Sequence, residues 1–377
     1  VFEGDTIEPF EFVVKGVMHD FLGPKRDLVL VRLVGEKVEF TGVVAGMSGS
    51  PCSIDGKLIG ALAYSFANFA KEPIAGITPI ADMLEVLDLP AEKRPWRIAA
   101  QSDWDSMKTG ASPKLAESSG PRPIQTPLSL GGFVPQVRAH FEPWLESMGF
   151  FPVAGGGAGD VAPKGLQPGS AVAAVLVRGD VDIAATGTVT TVDNGRVLAF
   201  GHPFLGAGAV SMPMAEEPIL NTMASQQRSF KMSSPGPTVG ELTEDRLTAI
   251  AGTLGASPTM IPVRGELITA GGKKTFKFEV ARDPVMTPRL VAMALANSLV
   301  GNVSSGDRGT VRFHATVRAK GLDPIEVESV FAAERDSGLL VNAAIEVAQT
   351  LATLWDTPLG SPPDVSIDLT ATLDPEP

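Results

Sequence analysis

Glycine and proline constrain the folding of this chain more than any other feature of its sequence. Its 377 residues include 40 glycines and 31 prolines. Glycine adopts the backbone conformations that tight turns require, and proline interrupts both helices and the hydrogen-bond ladders of sheets. A chain rich in both is expected to form many short strands joined by turns rather than long helices. The sequence therefore predicts a mainly β protein.

The charge and the hydropathy pattern exclude several kinds of partner. The chain carries 31 basic and 43 acidic residues, which gives a formal net charge of −12. Such an acidic surface repels phosphate groups, so we expect no binding of nucleic acid. No apolar run reaches the roughly 18 residues that a membrane-spanning helix needs, so we expect no integral membrane segment.

Metal and disulfide chemistry are not expected from the residue types. Cys52 is the only cysteine, which excludes an internal disulfide and a zinc site made of several cysteines. The His-Glu-X-X-His motif of zinc hydrolases does not occur, and the acidic residues do not cluster at ligand spacing. We therefore expect neither a metal nor another cofactor.

The length and the pattern of turns divide the chain into four segments. A chain of 377 residues exceeds one compact core. Residues 1–92 are predicted to form a β domain, and residues 93–165 a linker with a small helical segment. Residues 166–262 are predicted as a second β domain. Residues 263–377 alternate strand and helix signals, which is typical of an α+β layer with helices on an antiparallel sheet.

Within these segments we predict individual elements from periodicity and turn residues. The predicted strands of the first segment cover residues 10–18, 28–34 and 38–45, and Asp55-Gly56 marks a hairpin turn. Helices are predicted from Thr78-Pro79 to residue 87, over 134–148, after Thr287-Pro288 and over 337–354.

The hexapeptide Gly46-Met47-Ser48-Gly49-Ser50-Pro51 carries the clearest chemical signal. It has the form Gly-X-Ser-Gly-X-Pro between two predicted strands. Glycines beside a serine permit a sharp turn that brings amide N–H groups to one point, so Ser48 is a candidate nucleophile. The amides of Gly46 and Ser48 are then the candidate oxyanion hole. A plain turn is the alternative; Ser50 is a rival hydroxyl, and Cys52 is better explained as a buried thiol.

A serine nucleophile needs a base, and the chain offers four histidines. His202 follows a buried strand in a Gly-His-Pro turn, and loops at strand ends are where scaffolds present catalytic side chains. An imidazole pKa near ~6.5 suits a general base at neutral pH. His140 is predicted on a helix surface, His314 in mid-strand as a packed side chain, and His19 at a strand end as a weaker candidate.

At these two motifs the chain resembles the stage IV B sporulation serine peptidase family. The resemblance rests on the serine loop at 46–51, the Gly-Lys-Leu-Ile-Gly-Ala strand at 56–61, the Gly-Thr-Val-Thr strand at 187–190 and Phe-Gly-His at 200–202. From residue 1 to about residue 262 the chain is also similar to long exported bacterial proteins that carry this peptidase domain.

The resemblance implies a serine endopeptidase that hydrolyses protein or peptide substrates. It also implies two trypsin-like β-barrel halves, followed here by the α+β layer. Ser48 precedes His202, whereas the family has the opposite order, so the halves are in permuted order. The abrupt start at Val1 is typical of a mature or trimmed chain. We therefore expect an extracytoplasmic protein that is periplasmic, envelope-associated or secreted.

The third member of a catalytic triad is the least defined by the sequence. Asp245 is our first choice, because it follows a β-rich stretch in the segment that carries His202; an ion pair with its neighbouring arginine is the alternative. The family places an acid shortly upstream of its serine, where Asp27, Glu36 and Glu39 lie here. Asp193 is a further candidate.

Two other functions are compatible with the same motifs. The chain can be a catalytically inactive module that binds peptides or proteins by strand addition. It can also be a structural envelope protein that assembles through its α+β layer. The unassigned acid is the main support for the binding module, and the enzyme is the leading hypothesis.

Overall fold

The structure, a computed structural model, describes residues 1–66, 71–89, 101–110, 120–156, 162–283, 285–302, 309–333, 338–355 and 364–375. With 51% strand against 19% helix, the fold is mainly β, as the glycine and proline content predicted. The described residues form two large sheets and one small one.

The first sheet has six strands and carries the serine loop at the start of one of them. Its strands are β1 (Glu11–Gly23), β2 (Arg26–Val34), β3 (Ser50–Ile54), β4 (Lys57–Ser65), β5 (Ile74–Pro79) and β6 (Arg122–Pro123). The order is β1-β2-β5-β4-β3, β6 pairs with β4, and every pairing is antiparallel. Two helices follow strands of this sheet, α1 (Glu36–Thr41) and α2 (Ile80–Leu84), and a 3-10 helix (Glu85–Asp88) extends the second.

The second sheet has thirteen strands, and its first part carries the histidine. The strands of this part are β7 (Thr126–Gly131), β8 (Phe150–Gly155), β9 (Ala171–Gly179), β10 (Asp182–Asp193), β11 (Arg196–Ala199), β12 (Gly208–Glu216), β15 (Thr238–Asp245) and β16 (Ile250–Leu254). Six of them, in the order β9-β10-β11-β16-β15-β12 and back to β9, pair in a closed antiparallel ring. A separate hairpin, β13 (Ile219–Met223) and β14 (Phe230–Ser233), leaves the ring after β12.

The second part of this sheet has strands and helices where the α+β layer was predicted, but its sheet is mixed rather than antiparallel, because β17 and β21 pair in parallel. Its strands are β17 (Ile261–Thr269), β18 (Gly272–Val280), β19 (Gly309–Ala319), β20 (Ile325–Ala333) and β21 (Val365–Pro375). The layer also contains α5 (Met286–Val300) and α6 (Gly338–Trp355), while α3 (Gln101–Thr109) and α4 (Pro135–Ser147) come from the predicted linker. Because β18 pairs with β9, the sheet runs unbroken across the boundary that we placed at residue 262.

The serine half is an open sheet, not a closed barrel. Its edge strands β1 and β3 pair only with β2 and β4, respectively, within the described residues. The closed ring in the histidine half is therefore the one barrel-like unit among the described residues. The expectation of two trypsin-like barrel halves in permuted order is not confirmed and stays a prediction for both halves.

One predicted strand is a helix. Residues 38–45 were expected as a buried strand, but residues Glu36–Thr41 form α1. Gly35 and Gly42 flank this helix with positive φ angles of 131° and 69°, which turn the chain out of the sheet direction at both ends. Acidic Glu36 and Glu39 occupy the first turn, where the helix dipole favours negative charge.

The predicted hairpin turn and two of the predicted helices agree with the structure, whereas the segment predicted as a linker also contains the strands β6, β7 and β8. Asp55 and Gly56 have φ angles of 49° and 74°, as expected for the two-residue hairpin turn between β3 and β4. The helices predicted over 134–148 and 337–354 are α4 and α6. None of the helices in the described ranges is both long enough and apolar enough to cross a membrane.

Candidate active site

The serine loop connects α1 to β3 and is pressed against the histidine half. Gly49 has a φ of 97°, and a Cβ atom there would lie 1.9 Å from the carbonyl oxygen of Thr188 and 2.5 Å from the amide nitrogen of Phe200. Only glycine allows this approach. It brings the residue after Ser48 against the backbone two positions before His202.

Within residues 45–50 the hydrogen bonds leave two amides unengaged. The amides of Ala45, Met47, Gly49 and Ser50 donate to the carbonyls of Ser229, Val44, Leu62 and Met47, respectively. Within the described part of the chain, the N–H groups of Gly46 and Ser48 donate to no acceptor. These are the two amides that the hexapeptide motif predicted for an oxyanion hole.

The loop carbonyls are fixed from outside the loop. Thr188 holds two of them, because its hydroxyl donates to Gly46 at 3.0 Å and its amide donates to Ser48 at 2.8 Å. The hydroxyl of Thr190 donates to the carbonyl of Gly49 at 2.8 Å. Both threonines lie on β10, so the histidine half sets the conformation of the serine loop.

The Ser48 side chain is fully buried. Its relative exposure is 0%, and Oγ has no hydrogen-bond partner in the described structure. Buried hydroxyls are almost always hydrogen-bonded, and an exception needs an explanation. An oxygen kept free for a reaction partner is one such explanation.

His202 follows β11 through a turn in which Phe200 and Gly201 have φ angles of 67° and 71°. The ring is buried, and Nδ1 lies 2.8 Å from the carbonyl oxygen of Pro203. A carbonyl only accepts, so Nδ1 carries the proton and Nε2 is the bare nitrogen of the neutral ring. Nε2 has no hydrogen-bond partner among the described residues. This is the tautomer that a general base requires.

Burial keeps this imidazole neutral. Loss of hydration lowers the pKa of His202 from 6.5 to about 4, against the carbonyls of Pro203 and Ile124, which raise it. The Ile124 backbone therefore lies near the ring, although its contact does not have the geometry of a hydrogen bond to Nε2. At pH 7 the ring is therefore neutral, and its Nε2 atom can accept a hydrogen bond.

The loops that carry Ser48 and His202 touch each other, but the two side chains share no hydrogen bond. Besides the Gly49 contact, Gly201 packs against Ala61 and Ala63 of β4, and the Thr78 hydroxyl donates to the Gly201 carbonyl at 2.6 Å. Ser48 Oγ and His202 Nε2 are nevertheless both without partners. The hydrogen bond expected between hydroxyl and imidazole is thus not formed in this conformation.

Asp245 contacts the histidine loop, not the histidine ring. Its carboxylate accepts the amides of Phe204, Leu205 and Ala207 at 2.8, 2.7 and 3.0 Å. Burial raises the pKa of Asp245 above its usual value, while these three amides lower it. The carboxylate therefore holds the backbone that follows His202, and the expected hydrogen bond to the ring is absent.

The other predicted acids lie away from the ring. Asp27 bonds His19 at 2.9 Å on the surface of the first sheet, and Asp193 accepts from Asn194 at the exposed end of β10. Glu39 lies 3.6 Å from Arg32. Glu36 is exposed in the first turn of α1. No hydrogen bond joins His202 to a carboxylate among the described residues.

The remaining nucleophile and base candidates have structural partners. Ser50 donates from Oγ to the Met47 carbonyl at 2.7 Å. Burial raises the pKa of the Cys52 thiol to about 12, which makes it inert, as expected for a packed thiol. His140 bonds the Met107 carbonyl at 2.6 Å. His314 of β19 lies 3.2 and 3.4 Å from Glu326 and Glu328 of β20 and is half exposed, so the prediction of a packed side chain was wrong.

The sequence did not predict a buried polar cluster beside the serine loop. Lys231 and Glu217 are only 1% and 3% exposed. Lys231 Nζ donates to the Thr188 hydroxyl at 3.3 Å, and Glu217 Oε1 accepts from Thr186 and Ser233 at 3.1 and 2.8 Å. The alternation of Thr186 and Thr188 on one face of a buried strand is the signal that could have indicated it.

Burial shifts the pKa of each of these two side chains in the direction that favours its uncharged form. Loss of hydration lowers the pKa of Lys231 from 10.5 to about 8, and the charge of Glu217 opposes this shift. Loss of hydration raises the pKa of Glu217 from 4.5 to about 7, against its two hydroxyl donors and Lys231. At pH 7 Lys231 is thus still mainly a buried cation.

Comparison of the chain with protein-family models, with curated proteins and with solved structures found no match.

Replacing Asp245 with asparagine should lower the free energy of unfolding, because the carboxylate bonds loop amides and not the His202 ring. An amide offers only one acceptor oxygen, so at least one of the three loop amides loses its partner. The free energy of unfolding should fall by about 2 kcal/mol, measured by urea denaturation. Asp193→Asn, which changes an exposed carboxylate on the same half, is the control and should be neutral. Equal stability of wild type and Asp245→Asn would contradict the anchoring role.

Proposed function

We propose that this chain is a serine endopeptidase with Ser48 as nucleophile and His202 as general base. The observation that carries the proposal is the pair of amides, Gly46 and Ser48, that have no acceptor among the described residues, in a hexapeptide whose other amides, Met47, Gly49 and Ser50, are bonded. A bare imidazole nitrogen in the adjoining loop supports it. Protein or peptide chains are the proposed substrates, and an extracytoplasmic location is proposed with them.

The proposed reaction is acyl transfer from a peptide to water. Ser48 Oγ attacks the peptide carbonyl carbon while His202 Nε2 takes the hydroxyl proton. The Gly46 and Ser48 amides donate to the oxyanion that forms, and the imidazolium returns the proton to the leaving amine. Water then hydrolyses the acyl-enzyme by the same steps. Because no carboxylate among the described residues bonds the ring, the Pro203 carbonyl takes the role of fixing the tautomer.

A substrate can reach this site only after part of its cover moves. Ser48 and His202 are 0% and 2% exposed. Strand β14 is bonded to the loop, since the Lys231 amide donates to the Ala45 carbonyl. We infer that other covering residues move to admit the peptide and let Oγ and Nε2 approach each other, while β14 keeps this contact. In this proposal the closed ring is one of the two trypsin-like halves, and the open first sheet is the other.

The second candidate function is binding without catalysis. The missing serine–histidine hydrogen bond and the buried nucleophile favour it. A binding module would retain the loop geometry but would not form a covalent adduct at Ser48. An envelope protein that assembles through its α+β layer would give the same negative result.

Labelling with a small fluorophosphonate separates the enzyme from the inactive alternatives. We expect one adduct per chain on the peptide that contains Ser48, located by mass spectrometry after proteolysis. Activation of the hydroxyl by His202 is required, so His202→Gln should slow the labelling by at least about a hundredfold. Absence of an adduct in folded wild type would exclude the proposed function.

A further inference from the structure

The contacts of Thr188 form a hydrogen-bond chain that ends on the serine loop. Lys231 Nζ donates to the Thr188 hydroxyl at 3.3 Å, and that hydroxyl lies 3.0 Å from the Gly46 carbonyl oxygen. The Thr188 amide binds the Ser48 carbonyl at 2.8 Å. One residue of β10 thus fixes both ends of the tripeptide Gly46-Met47-Ser48.

The donors and acceptors give this hydrogen-bond chain one direction. A carbonyl oxygen only accepts and a lysine ammonium only donates. The single hydrogen of the Thr188 hydroxyl must therefore point to Gly46, and an oxygen lone pair receives Lys231. A hydroxyl polarised by a cation is a stronger donor, because hydrogen bonds in a chain reinforce one another in a low dielectric.

Burial of the Lys231 ammonium costs free energy of hydration. The side chain packs beside the serine loop. A buried ammonium is unfavourable unless it is well paired. Among the described residues, Lys231 Nζ makes one hydrogen bond, and no carboxylate oxygen lies within 4.0 Å of it. Its Cδ and Cγ would lie 3.2 and 3.5 Å from a Cβ at Gly46. The side chain therefore lies along the first residue of the oxyanion loop.

We propose that Thr188 is a positioning residue for the oxyanion hole and that Lys231 orients and polarises its hydroxyl. This inference rests on the proposed function of Ser48. The two Thr188 bonds hold the Gly46 and Ser48 carbonyls, one on each side of the Met47–Ser48 peptide. They therefore restrict rotation of the Ser48 N–H away from the reacting oxygen.

The test compares rates of fluorophosphonate labelling per folded chain, with folding verified by circular dichroism. Thr188→Val keeps the shape and removes the hydroxyl, and we expect labelling to slow by about ten- to a hundredfold. Thr188→Ser restores the hydroxyl and should stay within about threefold of wild type. Thr186→Val, which removes a buried hydroxyl from the same strand away from the loop, should lower stability but leave the rate within about threefold.

Lys231→Met tests the second half of the proposal. Methionine fills the space of the lysine stem without the ammonium, so we expect labelling to slow by about tenfold. Because both groups act through one hydrogen bond, Thr188→Val combined with Lys231→Met should be no slower than Thr188→Val alone.

Three results would overturn the inference. They are wild-type labelling rates in folded Thr188→Val, equal rates in the valine and serine variants, or additive losses in the double variant. Should Thr188→Val not fold, a wild-type rate in Lys231→Met would overturn it. A wild-type chain that is never labelled at Ser48 would instead exclude the proposed function itself.

Discussion

Replacing Ser48 with alanine should abolish peptide hydrolysis and fluorophosphonate labelling while leaving the fold intact. Loss of a serine nucleophile typically lowers the rate by about 10³- to 10⁶-fold. The fold should not suffer, because Ser48 Oγ is buried without a hydrogen-bond partner. Removing an unpaired buried polar atom is neutral or stabilising, so the free energy of unfolding should change by less than about 1 kcal/mol.

Ser50→Ala is the matched control for this prediction. Ser50 lies two positions away in the same loop, but its hydroxyl donates to the Met47 carbonyl at 2.7 Å. Its loss should cost about 1 kcal/mol of stability and leave labelling of Ser48 in place. Equal hydrolysis by wild type and Ser48→Ala would end the assignment of this serine as nucleophile. An adduct that moves to Ser50 would have the same consequence.

The second large effect is expected from Gly49→Ala. A methyl group there would meet the Thr188 carbonyl oxygen at 1.9 Å and the Phe200 amide nitrogen at 2.5 Å. Both are backbone atoms of the histidine half, so no side-chain rotation relieves the clash. The φ of 97° adds backbone strain for a residue with a Cβ. We expect the free energy of unfolding to fall by at least about 4 kcal/mol, measured by denaturant titration.

Gly56→Ala controls for the positive φ alone. Gly56 has a φ of 74° in the β3–β4 turn, with nothing within 4 Å of the position of its Cβ. Strain without a clash should cost about 1 to 2 kcal/mol. If Gly49→Ala were no less stable than Gly56→Ala, the two halves would not be packed through Gly49. The contact that brings the serine and histidine loops together would then be refuted.

The closed conformation of the proposed site has a simple physical description. The Ser48 hydroxyl and the His202 Nε2 atom are both buried without a hydrogen-bond partner among the described residues, and a bound peptide can supply one to each. Burial also lowers the pKa of His202 to about 4, which weakens it as a base. Opening of the cover would rehydrate the ring and move its pKa back toward 6.5. Admission of substrate and activation of the base are therefore expected to occur together.

The sequence by itself determined the features that depend on neighbours along the chain. Hairpin turns such as Asp55-Gly56 require residues that tolerate positive φ, and such residues are visible in the sequence. The serine loop could be predicted for the same reason, because its glycines permit a turn that leaves the Gly46 and Ser48 amides free. The mainly β composition followed from the same turn chemistry.

Tertiary structure decided everything that depends on contacts between distant residues. The helix at Glu36–Thr41 replaced a predicted strand, because glycines at both of its ends took the chain out of the sheet. Asp245 was correctly placed in the half that carries His202, but only the folded loop directs its carboxylate to three amides and away from the ring.

Lys231 and Thr188 show the same limit most clearly. They are 43 positions apart and meet because β14 and β10 both pack on the serine loop. A lysine in a sequence is read as a surface charge, since burial of an ammonium is rarely compensated. Only the fold brings a hydroxyl and a loop carbonyl into line with it, because hydrogen bonding to a buried charge depends on distances that no local pattern encodes.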